Sequence, residues 1–155
     1  MRRLIINADD FGLTPGVNRA IFEAHTAGIV TSTTLMASAS AFDHAVQLAR
    51  SIPSFDLGCH VVLADGTPVS NPSEIATLLE GGRNREFDRS LGSFAARAMR
   101  GRLNPEQVER EAVAQISKLQ RAGIFVSPTC SLASTRRAEF VWITKPVWRN
   151  SLNPD

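Results

Sequence analysis

The chain has 155 residues, 43% hydrophobic and 21% charged, with a formal net charge of +2. That length suits one domain with a real core, and the ordinary globular composition excludes a disordered chain, a collagen-like repeat and a membrane protein. The Lys and Arg residues are scattered rather than gathered into a stripe with aromatics, so nucleic acid is not the expected partner.

Leu4-Ile5-Ile6 is an apolar run without alternation, which predicts a strand buried on both faces, as in a helix-covered parallel sheet, ending near Ala8. Thr14-Pro15 then predicts a helix start, with Thr14 as N-cap, an apolar stripe of Val17, Ala20, Ile21 and Ala24, and Gly28 as the stop. The β-branched stretch IVTSTTLM, residues 29 to 36, predicts a second strand, followed by the small-residue loop ASASA and a helix from Phe42 to about Arg50. FDLGCHVVL predicts a third strand with His60 toward its end, followed by the turn-rich ADGTPVSNPSE. Strands alternating with helices imply an α/β fold with a parallel sheet and right-handed crossovers.

Residues 73–80 read as a short helix, EGGRNREFDRS as a mobile loop, and Ser90 to Arg100 as a helix. Asn104-Pro105-Glu106-Gln107 predicts an N-cap, a first-turn proline and a capping-box glutamine. That helix should reach Ala122, with Val108, Ala112, Ile116 and Leu119 inward and Gly123 after it. Beyond about Val126 the periodicity is poor, although FVWITK could form a strand. No run approaches the roughly 18 apolar residues of a membrane span, and the apolar run of the opening MRRLIINADDFG is short for a signal segment and ends in two acids, so none is expected there. With Cys59 and Cys130 far apart and without CxxC spacing, we expect a cytoplasmic protein whose thiols are reduced packing residues.

Asp9, Asp10 and His60 map to carboxyl ends of strands, where α/β folds bind ligands. Adjacent strand residues point to opposite faces, so both acids can serve one site only where the backbone leaves strand geometry, a bend that Gly12 makes easy. Two contacting carboxylates repel unless a cation intervenes, and Asp with His suits zinc or another divalent ion that activates water. Two ligands are fewer than the usual three. The plainer readings are a solvated, capping Asp pair and a satisfied core His60. His25 sits on the face opposite the strand carboxyl ends and reads as structural, while His44 reads as a solvated rim residue.

LIINADDFGLTPGVNRAI, AGIVTSTTLMASASAF and DLGCHVVLADGTPV together resemble the YdjC-like carbohydrate deacetylases, with wording especially similar to the subgroup associated with hopanoid biosynthesis. The resemblance covers residues 3 to 125 and implies the N-terminal part of a deformed (β/α) barrel that hydrolyses the N-acetyl group of an amino sugar. On that resemblance Asp9 matches the catalytic base, and Asp10 and His60 match ligands of a divalent metal, Mg or Zn. Water would attack the acetamide carbonyl with Asp9 taking its proton.

The resemblance also implies a histidine-rich D-x-H-x-H-x-H strand end after the helix that closes near Ala122, and a considerably longer chain. GIFVSPTCSLASTRRAEF stands there instead, without a histidine. The expected organisation is therefore a partial deacetylase-like domain over residues 1–125 and a divergent tail over 126–155, for which a shift of reading frame accounts better than gradual divergence. A half barrel leaves edges uncovered, so a homo-oligomeric or poorly soluble product with weak metal binding and little activity is expected. The rival readings are a non-catalytic sugar- or partner-binding fragment, and a phosphate-receiving regulatory domain. The latter is disfavoured because it expects an acceptor Asp where His60 stands.

Overall fold

The computed structural model describes residues 4–52, 55–79 and 85–126, together with the backbone of residues 130–133. Four strands, β1 (Asn7–Phe11), β2 (Ser32–Met36), β3 (Asp56–Val62) and β4 (Cys130–Ala133), form one sheet in the order β1-β2-β3-β4. Every pairing is parallel, so each link between neighbours must cross over. The crossovers carry α1 (Pro15–Thr26), α2 (Phe42–Ser51), α3 (Leu91–Met99) and α4 (Pro105–Arg121). Helix α1 lies against β1, α2 against β2 and α4 against β3. This is the α/β arrangement of part of a barrel, and it gathers the strand carboxyl ends on one side.

Local chemistry explains the boundaries. Thr14 caps α1 by accepting from Val17 N at 3.2 Å with Pro15 in the first turn, and Gly28 takes φ +80 beyond the helix end. Asn104 caps α4 by accepting from Glu106 N, and Gly123 follows it at φ +74. Strand β2 is buried at all five positions although three are Ser or Thr. Its hydroxyls are satisfied on β1: Ser32 Oγ donates to Asn7 Oδ1 at 2.8 Å, Thr33 Oγ1 to Ala8 O at 2.5 Å and Thr34 Oγ1 to Asp9 Oδ1 at 2.6 Å.

Several expectations need correction. Leu4 and Ile5 are 77% and 73% exposed and β1 begins only at Asn7. Ile6 O accepts from Thr31 N, and among the described residues no strand pairs with the other edge of β1. Ala20 on α1 is exposed, and the buried positions are Ile21 and a polar residue, Asn18. In place of a helix over 73–80 there are two short 3-10 turns, Pro72–Glu74 and Ala76–Leu78, separated where Ile75 turns fully into the core. The described end of the expected mobile loop is pinned: Phe87 is buried and bridges to Leu79, and Asp88 is nearly buried. The FVWITK segment and residues 134–155 lie outside the described residues.

Helix α4 also departs from the expected apolar contact. Leu119 is buried as expected, while Val108, Ala112 and Ile116 are half-buried and the other fully buried positions are Glu111 and Gln115. Gln115 accepts from Val62 N at 2.9 Å and donates to Val62 O at 2.7 Å, acting as a strand partner at the end of β3. Glu111 accepts from Val69 N and Ser70 N, each at 2.9 Å, and from Gln115 Nε2 at 2.7 Å. Gln107 does not close a capping box: its Oε1 accepts from Thr77 N and Thr77 Oγ1, and that hydroxyl oxygen accepts from Asn104 N. A polar row on α4 thus ties down the irregular chain after β3, whose backbone groups would otherwise lack partners.

Candidate active site

The pairing of β1 with β2 runs Ala8↔Thr33 and then Phe11↔Leu35, so β1 uses three steps where β2 uses two. The extra residue is a β-bulge at Asp9-Asp10, and Asp10 adopts φ +67. A left-handed backbone costs most side chains about 1–2 kcal/mol, and Asp tolerates it better than most. The bulge breaks the alternation that would send the two carboxylates to opposite faces. The bend therefore sits at Asp10 itself rather than at Gly12. Gly12, at φ +101, meets a second requirement, because a Cβ there would stand 3.2 Å from both Leu35 Cδ1 and Met36 O. Its N–H donates to Asn18 Oδ1 at 2.6 Å, and Asn18 Nδ2 donates to Ala41 O at 3.0 Å, so one buried amide ties the β1 loop to the start of α2.

Both acids meet His60. The ring is fully buried near the end of β3, with Asp9 Oδ1 3.8 Å from Nδ1 and Asp10 Oδ1 3.4 Å from Nε2. The two carboxylates are 24% and 37% exposed, so they form the solvent-facing side of the cluster. Thr34 Oγ1 lies between Asp9 and the ring, 3.0 Å from Nδ1, and Asn7 Nδ2 also donates to Asp9 Oδ1 at 2.8 Å. The three residues singled out in the sequence are thus brought together by β1 and β3 across β2.

The donor chemistry of Asp10 and His60 fits a divalent ion. Two donors each about 2.1 Å from a tetrahedral ion stand roughly 3.4 Å apart, the separation found between Asp10 Oδ1 and His60 Nε2. No group of three His, Cys, Asp or Glu side chains suited to a metal occurs among the described residues. The backbone of β4 sets Ser131 opposite His60. An open groove of about 370 Å³ lies past the ends of β2 and β3, with Leu13, Met36, Ser38, Ser40, Val62, Asp65 and Thr67 in its lining, and none of Asp9, Asp10 and His60 lines it.

The remaining candidates lie elsewhere. His25 Nδ1 is 2.8 Å from Val30 O and the ring stacks on Phe55, a structural role. His44 is not simply solvated: it is half-buried with Nδ1 3.1 Å from Asn18 Nδ2. Cys59 is fully buried in β3, next to His60.

The family model for YdjC-like protein matches residues 3–127. The chain belongs to that family. It is 42% identical over 122 residues to a carbohydrate deacetylase of Brevibacillus brevis, covering 79% of this chain and 45% of the relative. Likewise, 42% identity over 125 residues relates it to carbohydrate deacetylase 1 of Listeria innocua, covering 81% of this chain and 49% of that protein. Among solved structures, a putative cellobiose-phosphate cleavage protein from Enterococcus faecalis superposes with a TM-score of 0.72 at 32% identity, covering 83% of this chain and 47% of that one. The chain therefore spans about half the length of the YdjC-like relatives it matches.

Within this YdjC-like chain, sequence reasoning missed Thr34, Asn7 and Asn18. A signal existed for the first: STT in a buried strand leaves three hydroxyls needing acceptors, which a neighbouring strand end rich in Asn and Asp supplies. Asn18 interrupts the stripe between Val17 and Ile21, and a polar residue at that place in an amphipathic helix needs a buried partner.

Proposed function

We propose that this chain carries the first half of a carbohydrate-deacetylase site in which Asp10 and His60 hold a divalent metal, Mg or Zn, and Asp9 is the base. The observation that supports this most is the bulge that turns both acids toward one buried histidine. Relatives named carbohydrate deacetylases give the reaction class. A bound divalent ion would polarise the acetamide carbonyl and make water more acidic. Asp9, held by Asn7 and Thr34 at one oxygen, is oriented to take the proton from the attacking water. The groove past β2 and β3 offers apolar wall from Met36 and Val62, hydroxyls from Ser38, Ser40 and Thr67 and the Asp65 carboxylate, groups that suit the ring and hydroxyls of a sugar.

On this reading residues 1–125 are the deacetylase-like part and 126–155 a divergent tail, of which residues 130–133 still add β4 to the sheet, and the hopanoid association stands on the wording of the motifs alone. Two ligands make weak metal binding and near-background hydrolysis the expectation for the 155-residue chain. Calorimetric titration of zinc should show binding that Asp10→Asn and His60→Ala abolish and Asp9→Asn keeps. Equal loss in all three variants would refute the division of roles. Release of acetate from an N-acetylated amino sugar, abolished by Asp9→Asn, would establish the reaction and overturn the expected inactivity. Sugar affinity without acetate release would favour the non-catalytic binding reading, which the two-ligand set supports.

A further inference from the structure

We infer that Thr34 is a positioning residue that fixes which nitrogen of His60 carries hydrogen. Thr34 is fully buried, and its hydroxyl oxygen is 2.6 Å from Asp9 Oδ1 and 3.0 Å from His60 Nδ1. A hydroxyl has one hydrogen to donate. Two oxygens at 2.6 Å need that hydrogen between them, and Asp9 Oδ1 is already an acceptor for Asn7 Nδ2. The Thr34 hydrogen is thereby committed to Asp9, and its oxygen lone pair accepts from Nδ1–H. The direct separation of Nδ1 from Asp9 Oδ1, 3.8 Å, is too long for a hydrogen bond, so the hydroxyl is the link. Nε2 is then left with its lone pair on the side of Asp10, 3.4 Å away.

Without Thr34 the preference reverses. The Asp10 carboxylate would draw the hydrogen to Nε2, which is the nitrogen that must be bare to bind a metal. The consequence for metal binding rests on the reading of Asp10 and His60 as ligands, whereas the assignment of the hydrogen does not.

Nitrogen-15 NMR of the His60 ring in the metal-free full-length chain, at mildly alkaline pH, tests the assignment. Wild type and Thr34→Ser should show hydrogen on Nδ1 and a bare Nε2, and Thr34→Val should shift it to Nε2. Thr34→Ala carries the same comparison if the valine variant does not fold. A wild-type ring with bare Nδ1 and hydrogen on Nε2, or an unchanged ring in the valine and alanine variants, would overturn the inference. Zinc affinity should fall about 10- to 100-fold in Thr34→Val and recover in Thr34→Ser. If no variant nor wild type binds zinc, the metal reading fails while the ring spectrum still decides the role of Thr34.

Discussion

Glu111 on α4 and Asp10 on β1 are both acids in polar clusters at the ends of the sheet, yet their surroundings differ. Glu111 is fully buried, with two backbone N–H groups and the Gln115 amide on its two oxygens. Asp10 is about one-third exposed and faces an imidazole nitrogen beyond ordinary hydrogen-bond length. Around Glu111 the buried polar groups are spent on the protein's own backbone, and the result is a fixed loop. Around Asp10 the carboxylate is left partly open to solvent, as the proposed metal site requires. The contrast separates residues that should set stability from residues that should set chemistry.

The sharpest way to break this contrast is Glu111→Gln, which keeps the shape but turns an acceptor into a donor facing other donors. Leaving a buried donor unsatisfied costs about 1–3 kcal/mol, so the variant should lose about 2 kcal/mol in denaturant unfolding. An unchanged midpoint would mean that the loop after β3 is held by something else. A smaller effect is expected from Asp88, which pairs with Arg97. Burial alone would raise its pKa, but hydrogen bonds from the Ser93 side chain and the Ser90 backbone, together with the Arg97 guanidinium, hold it below the ordinary value of 3.8. A lowered folded-state pKa contributes stability that is present above 3.8 and lost as pH falls toward the folded value. Asp88→Asn should therefore flatten the loss of stability below that pH, measured by acid unfolding, and an unaltered acid limb would deny the pairing any role. Smallest of all, Asp10→Asn should leave the unfolding midpoint within about 0.5 kcal/mol of wild type, because Asn also accepts the left-handed backbone. A large loss would place Asp10 with the structural acids.

The same division explains what was legible in the sequence. The ends of β2 and β3, the helix caps and the meeting of Asp9, Asp10 and His60 follow from local patterns: apolar runs, Thr14-Pro15, Asn104-Pro105, and the rule that ligands gather at strand carboxyl ends, whereas β1, expected to end near Ala8, runs to Phe11. The bulge was not legible, because whether Asp10 or Gly12 absorbs the bend depends on the register against β2. The α4 row was hidden for a related reason. Gln107, Glu111 and Gln115 flank an apolar stripe at spacings of four, a pattern that usually marks a solvated flank. Only the long irregular chain after β3, with its unpaired backbone, turns that flank inward. Leu4-Ile5-Ile6 illustrates the converse, since apolar content predicts burial only where another element arrives to cover it.

The backbone at Asp10 also governs how substitutions there can be interpreted. At φ +67 the position is permissive for glycine, asparagine and aspartate, and restrictive for β-branched residues above all. An alanine scan would therefore confound two effects at this one residue, removing the charge while straining the chain. A pair of replacements resolves them: asparagine changes charge at constant conformation, and glycine removes the side chain while relaxing the same turn. The same logic predicts a narrow repertoire at position 10 in any functional selection, narrower than its exposure would suggest.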